Sequence, residues 1–276
     1  MFGVKIEGRL GNQLFQYAFA LAQAARLEED FFLDGYRYGI FRDDFMLDKY
    51  FTISDSYPHR NRLRKLLFLR TTGCRPERVV QDQWLRAEDF LREFSRPGIL
   101  YSGFFQSEEY FLPVRDRIVR EFRVRRPYQA DIRSITGNTR ETVVVHVRRT
   151  DYLHWGNEDL QYDLTLPDAY YHRCLSQVDL SGKNILFLSD DIAYVKRHLA
   201  LPGAIFSEKN SQMTDLQFLM QADYLILSNS SFSWWGAYLN ERVRRVFAPE
   251  YWLGFKAGRE WPAGVIHPSW HKIPVI

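Results

Sequence analysis

Val143-Val144-Val145-His146-Val147-Arg148-Arg149-Thr150-Asp151-Tyr152 is the stretch of this 276-residue chain that decides its fold class. Three consecutive β-branched residues with no polar alternation predict a strand buried on both faces, as in a parallel sheet. The strand ends in a histidine, two arginines and an aspartate. Open α/β sheets bind ligands beyond the carboxyl ends of their strands, so this cluster stands where a ligand is expected. Guanidinium forks match phosphate oxygens in pairs, and two arginines therefore suit an anion. A salt-bridged strand end, with Arg148 or Arg149 held by Asp151, accounts for the same residues without a ligand.

Outward from this point, strand-like runs alternate with helical patterns, which predicts parallel βαβ units. In the first half, strands are expected at residues 4–6, 31–33 and 99–102, with a helix from about residue 12 to residue 29 and another ending near 122. Residues 125–139 read as a linker, punctuated by Pro127 and Gly137-Asn138. Beyond it, residues 143–147, 185–188, 205–206, 224–227 and 243–247 read as the strands of a second sheet. The expected domains are 1–127 and 138–276.

Composition excludes several classes. The balance of 37 basic against 34 acidic side chains gives +3, too mild to argue for nucleic acid. No apolar run has the length of a membrane helix, and Met1 to Ile6 reads as a strand rather than a signal peptide. The basic stretch from His59 to Arg70 reads as a solvated helix face over a small apolar stripe, or as an amphipathic helix on an anionic membrane, so membrane contact is at most peripheral. Two cysteines, Cys74 and Cys174, make no disulfide framework, and the Asn229-Ser230-Ser231 sequon lies in a candidate ligand loop. Together these favour a cytoplasmic setting. Aromatic content is high, with 21 Phe, 16 Tyr and 7 Trp; some of it is core, and sugar-binding clefts also use flat apolar faces.

Three segments carry a family resemblance. His146-Val147-Arg148-Arg149-Thr150-Asp151 resembles the donor-binding motif of the fucosyltransferases that build α1,2-, α1,6- and protein O-linked fucose. Gly8-Arg9-Leu10-Gly11-Asn12-Gln13-Leu14-Phe15-Gln16-Tyr17-Ala18 resembles the amino-terminal signature of the α1,2-fucosyltransferases, glycosyltransferase family 11. Asp215-Leu216-Gln217-Phe218-Leu219-Met220-Gln221-Ala222-Asp223, followed by Ser228-Asn229-Ser230-Ser231-Phe232-Ser233-Trp234-Trp235-Gly236, resembles its carboxy-terminal signature. Gly103-Phe104-Phe105-Gln106-Ser107-Glu108-Glu109-Tyr110-Phe111 is a weaker fourth match. The four span nearly the whole chain in the family's order.

The resemblance implies two Rossmann-like α/β domains facing across a cleft, the GT-B type, with 1–127 on the acceptor side and 138–276 binding GDP-fucose. It implies inverting transfer of L-fucose from GDP-fucose to the 2-hydroxyl of a galactose-terminated oligosaccharide, by a soluble bacterial-type enzyme that needs no metal. Sequences in which a metal does this work often hold it with Asp-x-Asp, which is absent here; an arginine at the diphosphate must then do so. Another GDP-fucose-dependent linkage, or a nucleotide-binding protein without turnover, are the alternatives.

Residue roles follow from chemistry and resemblance together. Arg148 is the expected catalytic cation, stabilising charge that grows on the departing β-phosphate. Asn12 and Arg9 are candidates for the diphosphate or the acceptor, Asn12 being equally readable as a helix N-cap. His146 and Asp215 resemble the family's guanine-contacting pair, against the alternatives of a satisfied core histidine and a helix cap. Ser230, Ser231 and Phe232 lead into a helix expected from Ser233, and the free N–H groups of such a helix start suit an anion. Asp190 either positions ribose, braces the Arg148 loop or caps the next helix. Asp151 and Glu158 are candidates for the base or for orienting Arg148. His267 and His271 are separated by Pro268 and make a poor metal pair, and no metal site is expected.

Overall fold

The computed structural model describes residues 1–35, 47–53, 56–73 and 76–275, the side chains of 56–61 excepted. Cys74 lies outside them. The chain divides into two compact units, Met1–Pro127 with Pro262–Val265, and Tyr128–Trp261 with Ile266–Ile276.

The first unit is built on a four-stranded parallel sheet. Its strands are β1 (Phe2–Lys5), β2 (Phe31–Asp34), β3 (Glu77–Val80) and β4 (Ile99–Ser102), in the order β2-β1-β4-β3. Helix Leu10–Leu27 follows β1, and its inward face places Leu14, Phe15, Tyr17, Ala18, Phe19 and Leu21 in the core. Phe19 lies flat on Phe105 at 3.8 Å and meets Tyr101 and Tyr110 edge-on, the geometries aromatic quadrupoles favour. This core absorbs much of the aromatic excess. The expected helix ending near 122 is broken into turns at Glu108–Tyr110 and Leu112–Val114 before helix Arg115–Glu121, because Pro113 cannot continue a helix through its own position.

Helix Ser56–Thr71 contains the basic stretch, with a distribution the sequence did not suggest. Phe68 is buried against Phe32, but Leu63, Leu66 and Leu67 are exposed. Arg64 and Lys65 pair instead with Asp30 and Asp34, beside β2, so these charges take part of the inward face. No helix among the described residues is long and apolar enough to cross a membrane.

The second unit holds a six-stranded parallel sheet with a small antiparallel hairpin beside it. Its strands are β5 (Thr142–Val147), β8 (Asn184–Ser189), β9 (Ile205–Phe206), β10 (Tyr224–Ile226), β11 (Arg245–Pro249) and β12 (His271–Ile273); β6 (Gly156–Asn157) and β7 (Gln161–Tyr162) form the hairpin. The order β12-β11-β10-β5-β8-β9 becomes 3-2-1-4-5-6 when the six are counted in chain order, the doubly wound dinucleotide-binding arrangement. β5 is central, and its Val143, Val144, Val145 and Val147 are almost fully buried. Each such valine contributes on the order of 1.5–3 kcal/mol of burial.

Residues 128–139, expected as a linker, are pinned to helix Gln212–Gln221. Gln217 bonds Tyr128 O and Ala130 N, and Gln221 bonds Ala130 O and Ile132 N, all at 2.7–3.0 Å. That helix packs on helix Ser231–Tyr238 through Gly236, where an added Cβ would meet Leu219 Cβ at 2.4 Å. Asn240 Nδ2 ties the pair together by donating to Leu219 O and Ala222 O at 2.8 Å.

Gly236→Ala sets two opposed effects against each other. Helix propensity alone favours alanine by about 1 kcal/mol. Overpacking a close helix contact costs about 1–3 kcal/mol, and the 2.4 Å approach to a branched side chain places this site at the upper end. The expected outcome is a lower melting temperature by a few degrees, read by thermal denaturation; an unchanged or raised midpoint would show that the contact is not tight.

Candidate functional site

The topology of the second sheet places its ligand crevice between the carboxyl ends of β5 and β10, where the winding reverses. His146 is the penultimate residue of β5, and Ser228 follows β10 by two residues. They meet there, with His146 Nδ1 2.7 Å from Ser228 Oγ. Burial, reinforced by the neighbouring Arg148 cation, lowers the imidazole pKa to about 3, so His146 is neutral across ordinary pH. A neutral imidazole offers one donor and one acceptor nitrogen, and Ser228 engages one of them.

Past His146 the chain turns sharply around the Asp190 carboxylate. In the parallel register Val147 faces Ser189, so the two chains leave the sheet together. Asp190 accepts from the backbone N–H of Arg149 at 2.9 Å and of Thr150 at 3.2 Å, and from the Thr150 hydroxyl. The same carboxylate lies 3.1 Å from Arg148 Nη1, and Asp151 lies 2.6 Å from Arg148 Nη2. Burial works against the Arg148 charge, but the Asp151 hydrogen bond and both carboxylates outweigh it, and the pKa lies above the ordinary arginine value. Burial likewise opposes ionised Asp190; Thr150 and Arg148 overcome this and lower its pKa. Both readings of the motif are thus present together: Arg148 is ion-paired, and the pair fixes a permanent cation at the crevice.

Of the three roles open to Asp190, the structure shows the bracing one. Helix Ile192–His198 is capped by its neighbour Asp191, which accepts from Tyr194 N at 2.9 Å. Arg149 turns the other way, its guanidinium carbon 3.4 Å above the Tyr194 ring and its Nε 3.7 Å from Asp191. Glu158 is exposed in the β6–β7 turn.

Ser230 caps helix Ser231–Tyr238, its Oγ accepting from Phe232 N at 3.3 Å. The helix therefore opens at Ser231, two residues before the expected start. Phe232 is 5.6 Å from the His146 ring. Asn229 is fully buried with its Nδ2 donating to Leu164 O at 2.9 Å, which leaves the sequon no room for a glycan in the folded chain. Trp234 and Trp235 are buried as core.

Asp215 lies at the carboxyl end of β9, in the first turn of helix Gln212–Gln221. It is not the cap, which is Ser211. Its Oδ1 accepts from Ser207 Oγ at 2.5 Å. Burial raises the Asp215 pKa to about 6, against the lowering effect of the Ser207 and Asn210 hydrogen bonds. β9 stands two strand spacings from β5, so about 10 Å separates the Asp215 end of the crevice from the Arg148 end.

The first unit has its own reversal point, between β1 and β4. Helix Leu10–Leu27 begins two residues earlier than expected, because Arg9 O already accepts from Asn12 N and Gln13 N. Asn12 is therefore inside the first turn, and the cap position is held by exposed Arg9. Asn12 Oδ1 accepts from Gln106 Nε2 at 2.7 Å. Gln16 bridges the same two loops, donating to Gly103 O at 2.9 Å and accepting from Glu7 N at 3.1 Å. Gln81 Oε1 takes both Phe104 N and Phe105 N. Sequence reasoning missed these glutamines as site elements. The available signals were Gln16, inside the amino-terminal matching segment, and Gln106, inside the weaker one.

Among the described residues no group of histidine, cysteine, aspartate or glutamate side chains is arranged to hold a metal ion. The chemistry on offer is a fixed cation and a helix amino terminus at the carboxyl end of a doubly wound sheet, with a buried carboxylate farther along.

Comparison with known proteins agrees with this geometry. The model of the family described as Glycosyl transferase family 11 matches residues 1–254. An alpha-1,2-colitosyltransferase of Escherichia coli is 28% identical over 270 residues, covering 90% of this chain and 91% of its own. The galactoside 2-alpha-L-fucosyltransferase Sec1 of Mus musculus is 24% identical, with 93% of this chain and 74% of its own covered. Among solved structures, the NodZ alpha-1,6-fucosyltransferase soaked with GDP-fucose superposes with a TM-score of 0.55 at 15% identity, over 89% of this chain and 93% of that one. POFUT1 in complex with GDP-fucose gives 0.54 at 13% identity, over 90% and 97%. At these identities the likeness is one of fold: α/β, with the parallel-sheet units of the GT-B type.

Proposed function

We propose, from the premise that this chain belongs to glycosyl transferase family 11 and is a glycosyltransferase, that it transfers L-fucose from GDP-fucose to the 2-hydroxyl of a galactose-containing acceptor with inversion. The observation that carries this is Arg148, a permanent cation fixed by Asp151 and Asp190 at the reversal point of a doubly wound sheet. Relatives named for α1,2 transfer of fucose or colitose support the linkage. Solved structures holding GDP-fucose support the donor.

In this proposal the diphosphate lies at Arg148 and the helix start Ser230-Ser231, with Phe232 beside His146. Guanine lies toward Asp215, whose carboxylate accepts from N1–H and the exocyclic amine. His146, neutral, supplies a hydrogen bond that pH does not alter. In the first unit, Asn12 and Arg9 are the candidate contacts to phosphate or sugar. As the bond from C1 to the β-phosphate lengthens, negative charge gathers on the leaving oxygens and the Arg148 contact strengthens, which is the condition for acceleration. The acceptor oxygen enters from the opposite face and loses its proton to a carboxylate or water. Asp151 is engaged with Arg148 and acts as a positioning group. A cytoplasmic setting belongs to the same proposal, supported by the free thiol of buried Cys174.

A second donor is favoured by one observation. Colitose is the 3-deoxy analogue of fucose, and a relative named for its transfer matches across 90% of this chain. Competition between GDP-fucose and GDP-colitose for one acceptor separates the two by their kcat/KM ratio.

Arg148→Ala is expected to lower kcat by roughly a hundredfold or more at saturating donor, the loss typical of one electrostatic donor. Arg148→Lys should recover little, because a point charge cannot reproduce the fork. A folded Arg148→Ala enzyme with native kcat would remove this mechanism.

The Asp215 pKa of about 6 sets a pH dependence of the same sign as that of the phosphate itself. The ionised carboxylate is the form that accepts from guanine, so GDP affinity should fall as pH drops below 6, by about tenfold per unit well below it. GDP's own terminal phosphate titrates near the same pH, so calorimetry should compare the wild type with Asp215→Asn. A constant affinity ratio between pH 5 and 8 would remove the base-site assignment. Turnover should also survive thorough chelation by EDTA; loss restored by one divalent ion would show that Arg148 does not replace a metal.

A further inference from the structure

Beside the Arg148 cluster the second unit exposes aromatic surface. Trp155 is 39% exposed and Tyr162 64% exposed, on the two sides of the β6–β7 hairpin. Large aromatic rings are usually well buried, and an exposed pair beside a reactive centre calls for a reason. The Trp155 ring is supported from behind by Tyr152 at 5.6 Å and by buried Trp261 at 6.0 Å. Tyr152 also lies under Arg148, 5.6 Å from its guanidinium carbon. The platform and the cation are therefore linked through one ring, and lie within the span of one or two sugar units.

The hairpin is held in a form its sequence would not adopt for itself. Gln161 and Asp163 have left-handed backbone, with φ of 64° and 59°. Gly156 approaches the Gln161 carbonyl so closely that a Cβ there would lie 1.9 Å from its oxygen. The loop after β11, which carries Trp261, places Tyr251 and Trp252 in the same left-handed region, with φ of 63° and 54°. Such conformations are unfavourable for non-glycine residues, persist where the surroundings impose them and cluster at ligand clamps. The surroundings here are specific. Leu164 N donates to Tyr152 O at 2.9 Å, Asn229 Nδ2 to Leu164 O, and Lys256 Nζ to Tyr162 O at 2.8 Å. The strain buys a fixed ring beyond the carboxyl ends of β5, β10 and β11.

We infer that Trp155 is the stacking platform of the acceptor subsite, taking the apolar C–H face of a pyranose while the exposed Glu158 and Asp159 of the same hairpin accept from its hydroxyl groups. The inference rests on the transferase proposed above. A galactose ring suits it, because its axial 4-hydroxyl leaves a continuous C–H patch on the opposite face. A flat ring with exposed carboxylates alongside satisfies both faces of such a ligand. It also gives Glu158 a role toward the acceptor.

The test uses methyl β-galactoside and N-acetyllactosamine as acceptors, with methyl β-glucoside as comparison. Trp155→Ala should raise acceptor KM by about tenfold or more, the loss expected for one aromatic stacking contact. Trp155→Phe should recover part of it, and the loss should fall on acceptor KM rather than on kcat. Binding is read independently of turnover, by tryptophan fluorescence of the GDP-loaded protein titrated with methyl β-galactoside. The wild type should respond, and Trp155→Phe should lose that response. A wild-type acceptor KM in folded Trp155→Ala, or a fluorescence change that survives in Trp155→Phe, would overturn the platform. If the galactoside binds through Trp155 while GDP-fucose is never turned over, the donor assignment fails and the subsite stands.

Discussion

Everything at the crevice depends on the Asp190 carboxylate. A guanidinium taken partly out of water needs opposite charge close by, and a chain leaving a strand needs partners for its unpaired N–H groups. Asp190 meets both demands, accepting from two backbone amides and one hydroxyl while facing Arg148. It can do so only because β5 and β8 are in the register that sets Val147 against Ser189. A slip of one residue would turn His146 and Arg148 to the other face of the sheet. The buried valines of β5 thus fix more than stability; they fix where the cation is.

The two units solve their reversal points with different chemistry. Between β1 and β4 the loops are joined by neutral amides, Gln16, Gln81 and the Asn12–Gln106 pair, which hold geometry without creating a field. Between β5 and β10 the groups are charged. Neutral amides can donate and accept, which suits hydroxyl-rich partners. A fixed cation with a helix amino terminus suits a diphosphate.

The sequence disclosed what periodicity and charge can carry. β5, β8 and β9 were legible because apolar runs of that length have few other homes, and β4 matched at both ends. β3 and β12 were not, because only Val79 and Ile273 are buried in them and an edge strand leaves no alternation to read. The hairpin of β6 and β7 has two residues a side, below any pattern, and its left-handed Gln161 is set by tertiary contacts. Asp190 and Asp191 are chemically identical neighbours, and only the backbone direction past Ser189 decides which braces the loop and which caps the helix. The glutamines of the first unit carry neither charge nor period. The left-handed Glu28 at the end of helix Leu10–Leu27 is similarly silent, since glycine is the usual signal there.

Charge at the crevice is set by geometry in one place and by solvent in another. His146 is so well buried, and so near Arg148, that it contributes no charge at any ordinary pH. Were it protonated, a second cation would stand beside Arg148 and the charge of the crevice would change with pH. Arg148 and Asp190 hold each other ionised against burial, so acid or base in the ordinary range changes neither. Asp215 has no cation within its hydrogen-bonded group, only the neutral partners Ser207 and Asn210. Hydroxyl and amide donors offset its burial only in part, and its pKa drifts upward toward neutrality. The Arg148 end of the crevice is therefore indifferent to pH, and the Asp215 end is not. A ligand spanning both gains its charge contacts from a rigid site and its recognition from a titrating one.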